Sequence, residues 1–204
     1  MTASINASTT SGVVVTSDTS GSLALQANGS NIATVSSAGI VMPTGTYIYA
    51  PGSVVQVVST TVTAYTALSV STTKADFSGL SVTITPKFAT SKIWVQINIT
   101  FDSPAIQTFS GFVLRDATIL GQGTGSNSTV GGSFGIATAN DPNYRLWTTG
   151  FNYLDSPATT SATTYKVQIA NNVNTQTIYF NGTGANGAAN ATGSSTITVM
   201  EIAQ

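Results

Sequence analysis

Residues 92–101 alternate without a break: Ile93, Val95, Ile97, Ile99 and Phe101 are apolar, while Lys92, Gln96, Asn98 and Thr100 are polar, with Trp94 among them. Successive side chains of a strand point to opposite sides, so this run is a strand with one face buried and one exposed. The same period of two recurs at 80–85, where Leu80, Val82 and Ile84 share a face and Pro86 ends the run. It recurs at 164–169, with Tyr165, Val167 and Ile169 inward. Residues 109–115, 145–154, 176–180 and 195–202 also read as strands, punctuated by Gly-, Asn- and Pro-containing stretches at 121–125, 131–132, 140–143 and 182–193. Helical periodicity is almost absent. The expected fold class is all-β.

Two strands break the in–out pattern. Residues 54–58 and 195–202 carry apolar side chains on both faces, and such strands must be covered on both. One face can meet the core, and the other needs a second sheet or a second subunit. Val55, Val57, Ile197, Val199 and Glu201 are therefore candidate subunit-interface residues. Glu201, the sole Glu of the chain, is placed to pair with a basic residue across subunits or to lie solvated near the terminus. Trp94 stands alone on the polar side of its strand and joins the interface candidates, because Trp and Tyr are enriched where subunits meet.

The first fifty residues have a different rhythm. Apolar pairs at Val13/Val15, Leu23/Leu25, Ile32/Val35 and Ile40/Met42 are separated by turn signals at 18–21, 27–30 and 36–39, a spacing that predicts a β-meander or stacked β arrangement. So little apolar surface cannot make an independent core. This segment must pair with sister chains or lie on another surface. Pro43, Gly45, Pro51 and Gly52 mark a boundary, giving an N-terminal β-rich anchoring or trimerising segment at 1–50 and a larger unit at 51–204. The larger unit, with eight to ten short strands and no helices between them, has the size of a β-sandwich and of a jelly roll in particular.

The side-chain inventory narrows the chemistry. There is no His and no Cys, and only six Lys+Arg and seven Asp+Glu occur in 204 residues. Acid–base and nucleophilic catalysis most often use imidazole or thiolate, as do transition-metal sites, so no catalytic, cofactor or metal-binding residue is assigned and no enzyme activity is expected. A net charge of −1 with scattered cations offers no field for nucleic acid or an anionic membrane. No apolar run approaches the length of a membrane span, and MTASINASTT at the start has no signal-peptide character.

Local motifs have plain readings. Asp155-Ser156-Pro157 reads as a turn, since no His completes a catalytic set. Arg115-Asp116-Ala117-Thr118 reads as a hairpin turn. Gly121-Gln122-Gly123-Thr124-Gly125 lacks the Lys and the helix of a phosphate loop. Asp102, Asp141 and Asp155 have no clustered spacing for a cation. Trp147, Phe151 and Tyr153 share one face of their strand, and Tyr144 with Trp147 and Asn143 is a candidate aromatic platform for a glycan.

GSVVQVV at 52–58 and FSGLSVTITPKFATSKIWVQINI at 77–99 resemble a C-terminal domain of tailed-bacteriophage virion proteins. So do FVLRDATILGQG at 112–123, YLDSPATTSATTYKVQIA at 153–170 and STITVMEIAQ at 195–204, while SGVVVTSDTSGSLALQ at 11–26 is similar to segments that precede such domains in phage fibres. The resemblance implies a homotrimer on the virion surface, assembled in the host bacterial cytoplasm, whose jelly-roll head is similar to tumour-necrosis-factor and C1q-like domains. For a short chain it implies a capsid decoration (cement) protein partnered by itself and by the major capsid protein. The alternative it implies is a tail-fibre or receptor-binding head that recognises a host surface glycan.

Overall fold

The computed structural model describes residues 21–43, 48–102, 108–124, 131–137, 146–184 and 191–204. The Val13/Val15 pair lies outside them. Among the described residues there are fourteen strands and no helix. The chain divides into two compact units, Met1–Ile48 and Tyr49–Gln204.

The first unit holds a three-stranded antiparallel meander of β1 (Leu23–Ala27), β2 (Ser30–Ser36) and β3 (Gly39–Val41). Its first turn is Asn28-Gly29, with φ of 51° and 76°. Two consecutive left-handed residues twist a two-residue hairpin to match its strands, and Asn-Gly is the dipeptide that adopts them most readily. Ala33 is the only buried residue among those described in this unit.

The second unit is a sandwich of two sheets with jelly-roll-like character. One sheet orders β10 (Phe134–Ala137), β8 (Thr108–Arg115), β12 (Thr163–Asn171) and β6 (Ala75–Ile84), with β9 (Thr118–Leu120) paired to β8. The other orders β4 (Val54–Val62), β14 (Ser195–Ile202), β7 (Lys92–Asp102), β13 (Gln176–Phe180) and β5 (Thr66–Val70), with β11 (Trp147–Asp155) paired to β7. The alternating residues of β7 behave as their spacing predicts: Ile93, Val95, Ile97, Ile99 and Phe101 are all buried. They face Leu80, Val82 and Ile84 of β6 and Tyr165, Val167 and Ile169 of β12 in one continuous core. Phe77 and Phe180 stack across the sandwich with ring centroids 4.0 Å apart.

Two local features shape the second unit. Phe134 pairs with Gly111, and a Cβ there would lie 2.1 Å from the Phe134 ring, so only glycine fits under that ring. The Arg115–Thr118 hairpin turns through Asp116, which is left-handed at φ 52°. Asp116 also locks the neighbouring strand: its N–H donates to the Thr164 carbonyl at 2.7 Å, and its carboxylate accepts from the Thr164 N–H at 2.9 Å.

The last strand of the chain, β14, lies inside its sheet between β4 and β7. Ladder-type bonds continue past it, with the Gly52 N–H on the Ala203 carbonyl and the Ala203 N–H on the Ser53 carbonyl. The two ends of the unit are thus hydrogen-bonded to each other.

Candidate assembly surface and buried polar clasps

Cross-strand register assembles the outer face of the six-stranded sheet. Val57 of β4 stands opposite Met200 of β14, Met200 opposite Trp94 of β7, and Trp94 opposite Leu154 of β11. Four adjacent strands spaced about 4.8 Å apart carry this row over roughly 14 Å. Val57 is 55% and Leu154 48% exposed, while Trp94 and Met200 are half-buried between them. The next row adds Val54, 55% exposed, and Ile202. On the other side the rows turn polar: Ser59, Thr198, Gln96 and Asn152, then Thr61, Thr196, Asn98 and Gly150. The face is an apolar stripe with a hydroxyl and amide border. Lys92 at its end donates to the Ser156 hydroxyl at 2.6 Å.

The structure separates the interface candidates. Trp94 and Val57 come together on this face. Val55 is the residue the register skips where Glu201 pairs with Gln56 and Ile202 with Val54, so it sits in a bulge and is half-buried. Ile197, Val199 and Glu201 face inward and have no exposed surface in the single chain, a correction to their expected place on the side offered to a neighbour. The residues of β14 that face outward are Thr196, Thr198, Met200 and Ile202. The strand is apolar on both faces, as its sequence predicts, and the Ile197/Val199 pair is the one that fills the core.

Glu201 is also not poised for a cation on another chain. Its Oε2 accepts from the Gln56 amide at 2.6 Å, and its Oε1 accepts from the backbone N–H groups of Lys87 at 2.8 Å and Phe88 at 3.2 Å. A buried carboxylate is tolerated when its lone pairs are filled in this way. Its role is to fasten the chain after Pro86 to the central strand.

Asp155 forms a second clasp, joining the two sheets. The Arg115 guanidinium donates from one nitrogen to Oδ1 at 2.7 Å and Oδ2 at 2.9 Å, and the Tyr165 hydroxyl donates to Oδ2 at 2.8 Å. Burial first, and then donation to the Asp155 carboxylate, push the Tyr165 phenol well above its ordinary pKa. The Asp155-Ser156-Pro157 turn is therefore the end of β11 held by an ion pair from 40 residues earlier. Nothing local in the sequence announces that partner.

Asn181 is a third clasp, fully buried and left-handed at φ 60°. Its side-chain amide donates to the carbonyls of Val62 at 3.0 Å and Ala64 at 3.1 Å and accepts from the Ser195 hydroxyl at 2.7 Å. Its backbone N–H donates to the Thr100 carbonyl at 3.0 Å, so four strands meet there: β4, β7, β13 and β14.

The glycan candidates are only partly in view. Tyr144 and Asn143 lie outside the described residues. Trp147 is 46% exposed and pairs with Phe101. Phe151 and Tyr153, on the same side of β11, stack with centroids 6.1 Å apart and pack on the core. Asp141, one of the possible cation ligands, also lies outside the described residues, and Asp155 is engaged with Arg115 and Tyr165. Among the described residues no group of three or more His, Cys, Asp or Glu could hold a metal ion.

One exposed ion pair gives a pH-dependent expectation. Asp76 accepts from Lys166 and from Gln168, and the Lys166 hydrogen bond is the main cause that holds its carboxyl below the usual range. A depressed folded-state pKa contributes stability above the unfolded value and loses it as pH falls through the folded one. Asp76 is largely exposed, which limits the contribution to under about 1 kcal/mol. Lys166→Met is expected to be slightly less stable than the parent at pH 7 and equal to it near pH 2, by urea denaturation. A gap that widens in acid contradicts the assignment.

The fold and these sites define an all-β sandwich with a separate small β-meander. No family model matches the sequence, and no curated protein matches it. Among solved structures, a chain in the "Structure of infectious bursal disease virus Gx strain" is similar to 88% of this chain, with 12% identity and a TM-score of 0.34. This chain spans 47% of that one's length.

Proposed function

We propose that this chain is a non-enzymatic structural subunit that works by assembling with copies of itself, as a homotrimeric capsid decoration protein of a bacteriophage virion. The observation that carries the self-assembly is the Val57–Met200–Trp94–Leu154 row on the outer face of the six-stranded sheet. Contiguous exposed apolar surface with a polar rim marks an interaction site, and Trp and Met are favoured at the centre of such sites. A chain with net charge −1 also has little charge repulsion to keep copies apart. The virion setting is supported by the sequence resemblance to phage surface proteins, and the major capsid protein is the partner that this setting implies.

The test is the mass in solution. Sedimentation at micromolar concentration is expected to give a trimer for the parent and a monomer for Val57→Lys/Leu154→Lys, with unchanged circular dichroism. A monomeric parent sinks the assembly reading. Copy number decides the place on the particle: hundreds of chains per virion fit decoration, and a few tens fit a tail. The second reading, a receptor-binding head for host surface glycans, is favoured by the exposed ring of Trp147.

A further inference from the structure

Three Asn-Gly pairs occur in the sequence, at 28–29, 181–182 and 186–187, and the last lies outside the described residues. A glycine carries no side chain to shield its backbone nitrogen, so in such a pair that nitrogen can attack the preceding asparagine side chain. The first two pairs have similar neighbours, each being followed by a hydroxyl residue, Ser30 or Thr183. The fold treats them in opposite ways.

Asn28 and Gly29 are both exposed at the tip of the β1–β2 hairpin. A Cβ added at Gly29 would meet no atom within 4 Å, so the space around it is open. The attack needs the tip to leave its left-handed turn briefly, and little resists that. Within this unit only Ala33 is buried among the described residues, and segments with few buried contacts open locally at small cost. Asn181 is the contrary case. It is fully buried, its amide nitrogen donates to the Val62 and Ala64 carbonyls, and its oxygen accepts from the Ser195 hydroxyl. A Cβ at Gly182 would lie 2.7 Å from the Tyr65 ring, so the glycine is crowded as well. Attack there requires the strands that Asn181 joins to separate, an opening that approaches global unfolding.

We propose that Asn28 is a site of spontaneous deamidation, and that the fold directs the reaction there while sparing Asn181. The Gly29 nitrogen gives up its proton and bonds to Cγ of Asn28, and the side-chain nitrogen leaves as ammonia. The cyclic succinimide that results is opened by water at either of its carbonyls, so the balance is water consumed and ammonia released. One opening leaves Asp at position 28. The other leaves an isoaspartyl link, in which the main chain runs through the former side chain.

The two products differ in consequence. Asp-Gly suits the same two-residue hairpin as Asn-Gly, so the first keeps the register of β1 and β2. It adds a charge to a stretch, 21–43, that has none. The isoaspartyl link lengthens the main chain by a methylene, so the two-residue closure between Ala27 and Ser30 no longer fits and the register of the hairpin is lost.

The experiment is incubation of the full-length protein at pH 9, which favours loss of the glycine-nitrogen proton. Tandem mass spectrometry of its peptides locates the mass gain, and samples in urea are followed in parallel. In the folded protein, conversion at Asn28 is expected to be at least about tenfold faster than at Asn181. In urea, where neither pair is held, the two rates are expected to converge. Equal rates in the folded protein, no conversion at Asn28, or the same contrast persisting in urea overturns the proposal.

Discussion

Ile97→Asp is expected to abolish soluble folded protein, while Asn98→Asp, the next residue of β7, folds like the parent. Ile97 is 1% exposed and surrounded by the main core, whereas Asn98 is exposed on the outer face. At pH 7 a carboxylate at 97 must be neutralised to stay buried. Raising a carboxyl from about 3.9 to 7 costs roughly 4 kcal/mol at 1.36 kcal/mol per unit. The lost burial of the isoleucine adds about 2–3 kcal/mol. The sum, near 6–7 kcal/mol, matches the whole stability of many domains, typically about 5–15 kcal/mol. Asn98→Asp changes an exposed side chain in a polar row and is expected to shift stability by no more than about 0.5 kcal/mol. Soluble yield and thermal melting of the two variants are the measurements. Comparable damage from both would mean that the outer face at Asn98 is also buried.

Asp155→Ala is expected to cost about 3 kcal/mol, the lower end of the usual penalty for leaving one partner of a buried ion pair alone, because the Arg115 side chain is 23% exposed and water can reach it. The variant strands two donors, the Arg115 guanidinium and the Tyr165 hydroxyl, and Tyr165 is fully buried. It also frees the end of β11, whose outer-face Leu154 belongs to the proposed assembly row. Arg115→Met/Asp155→Leu/Tyr165→Phe, which removes every polar group of the clasp together, is expected to lose less than Asp155→Ala alone. Urea denaturation reads both. A triple variant less stable than Asp155→Ala would mean that the clasp contributes net stability beyond satisfying its own members.

Much of the sandwich was legible because its information is local. The period of two in residues 92–101 assigns the faces of β7 without reference to any other strand. Pro86, the Asn28-Gly29 pair and the Arg115–Thr118 turn end or connect strands through their own backbone preferences.

The outer-face apolar row was less legible, and Trp94 shows why. In its own strand it looks like an isolated aromatic among Lys92, Gln96 and Asn98. Its apolar neighbours Met200 and Leu154 are distant in sequence, and no spacing rule links them. Glu201 fails in the opposite way: near a terminus it reads as a solvated or intersubunit charge, yet Gln56 and the Lys87 and Phe88 amides close around it.

The sequence by itself determined that the chain is all-β, where most of its strands run, and which side of β7, β6 and β12 turns inward. These follow from side-chain alternation, a property of each strand alone. Only the tertiary structure decided which strands lie side by side, and so brought Val57, Met200, Trp94 and Leu154 into one row and Arg115, Asp155 and Tyr165 into one clasp. The physical reason is that pairing register is set by contacts between distant segments. A residue's neighbours across a sheet are chosen by the whole core and not by the residues beside it in the chain.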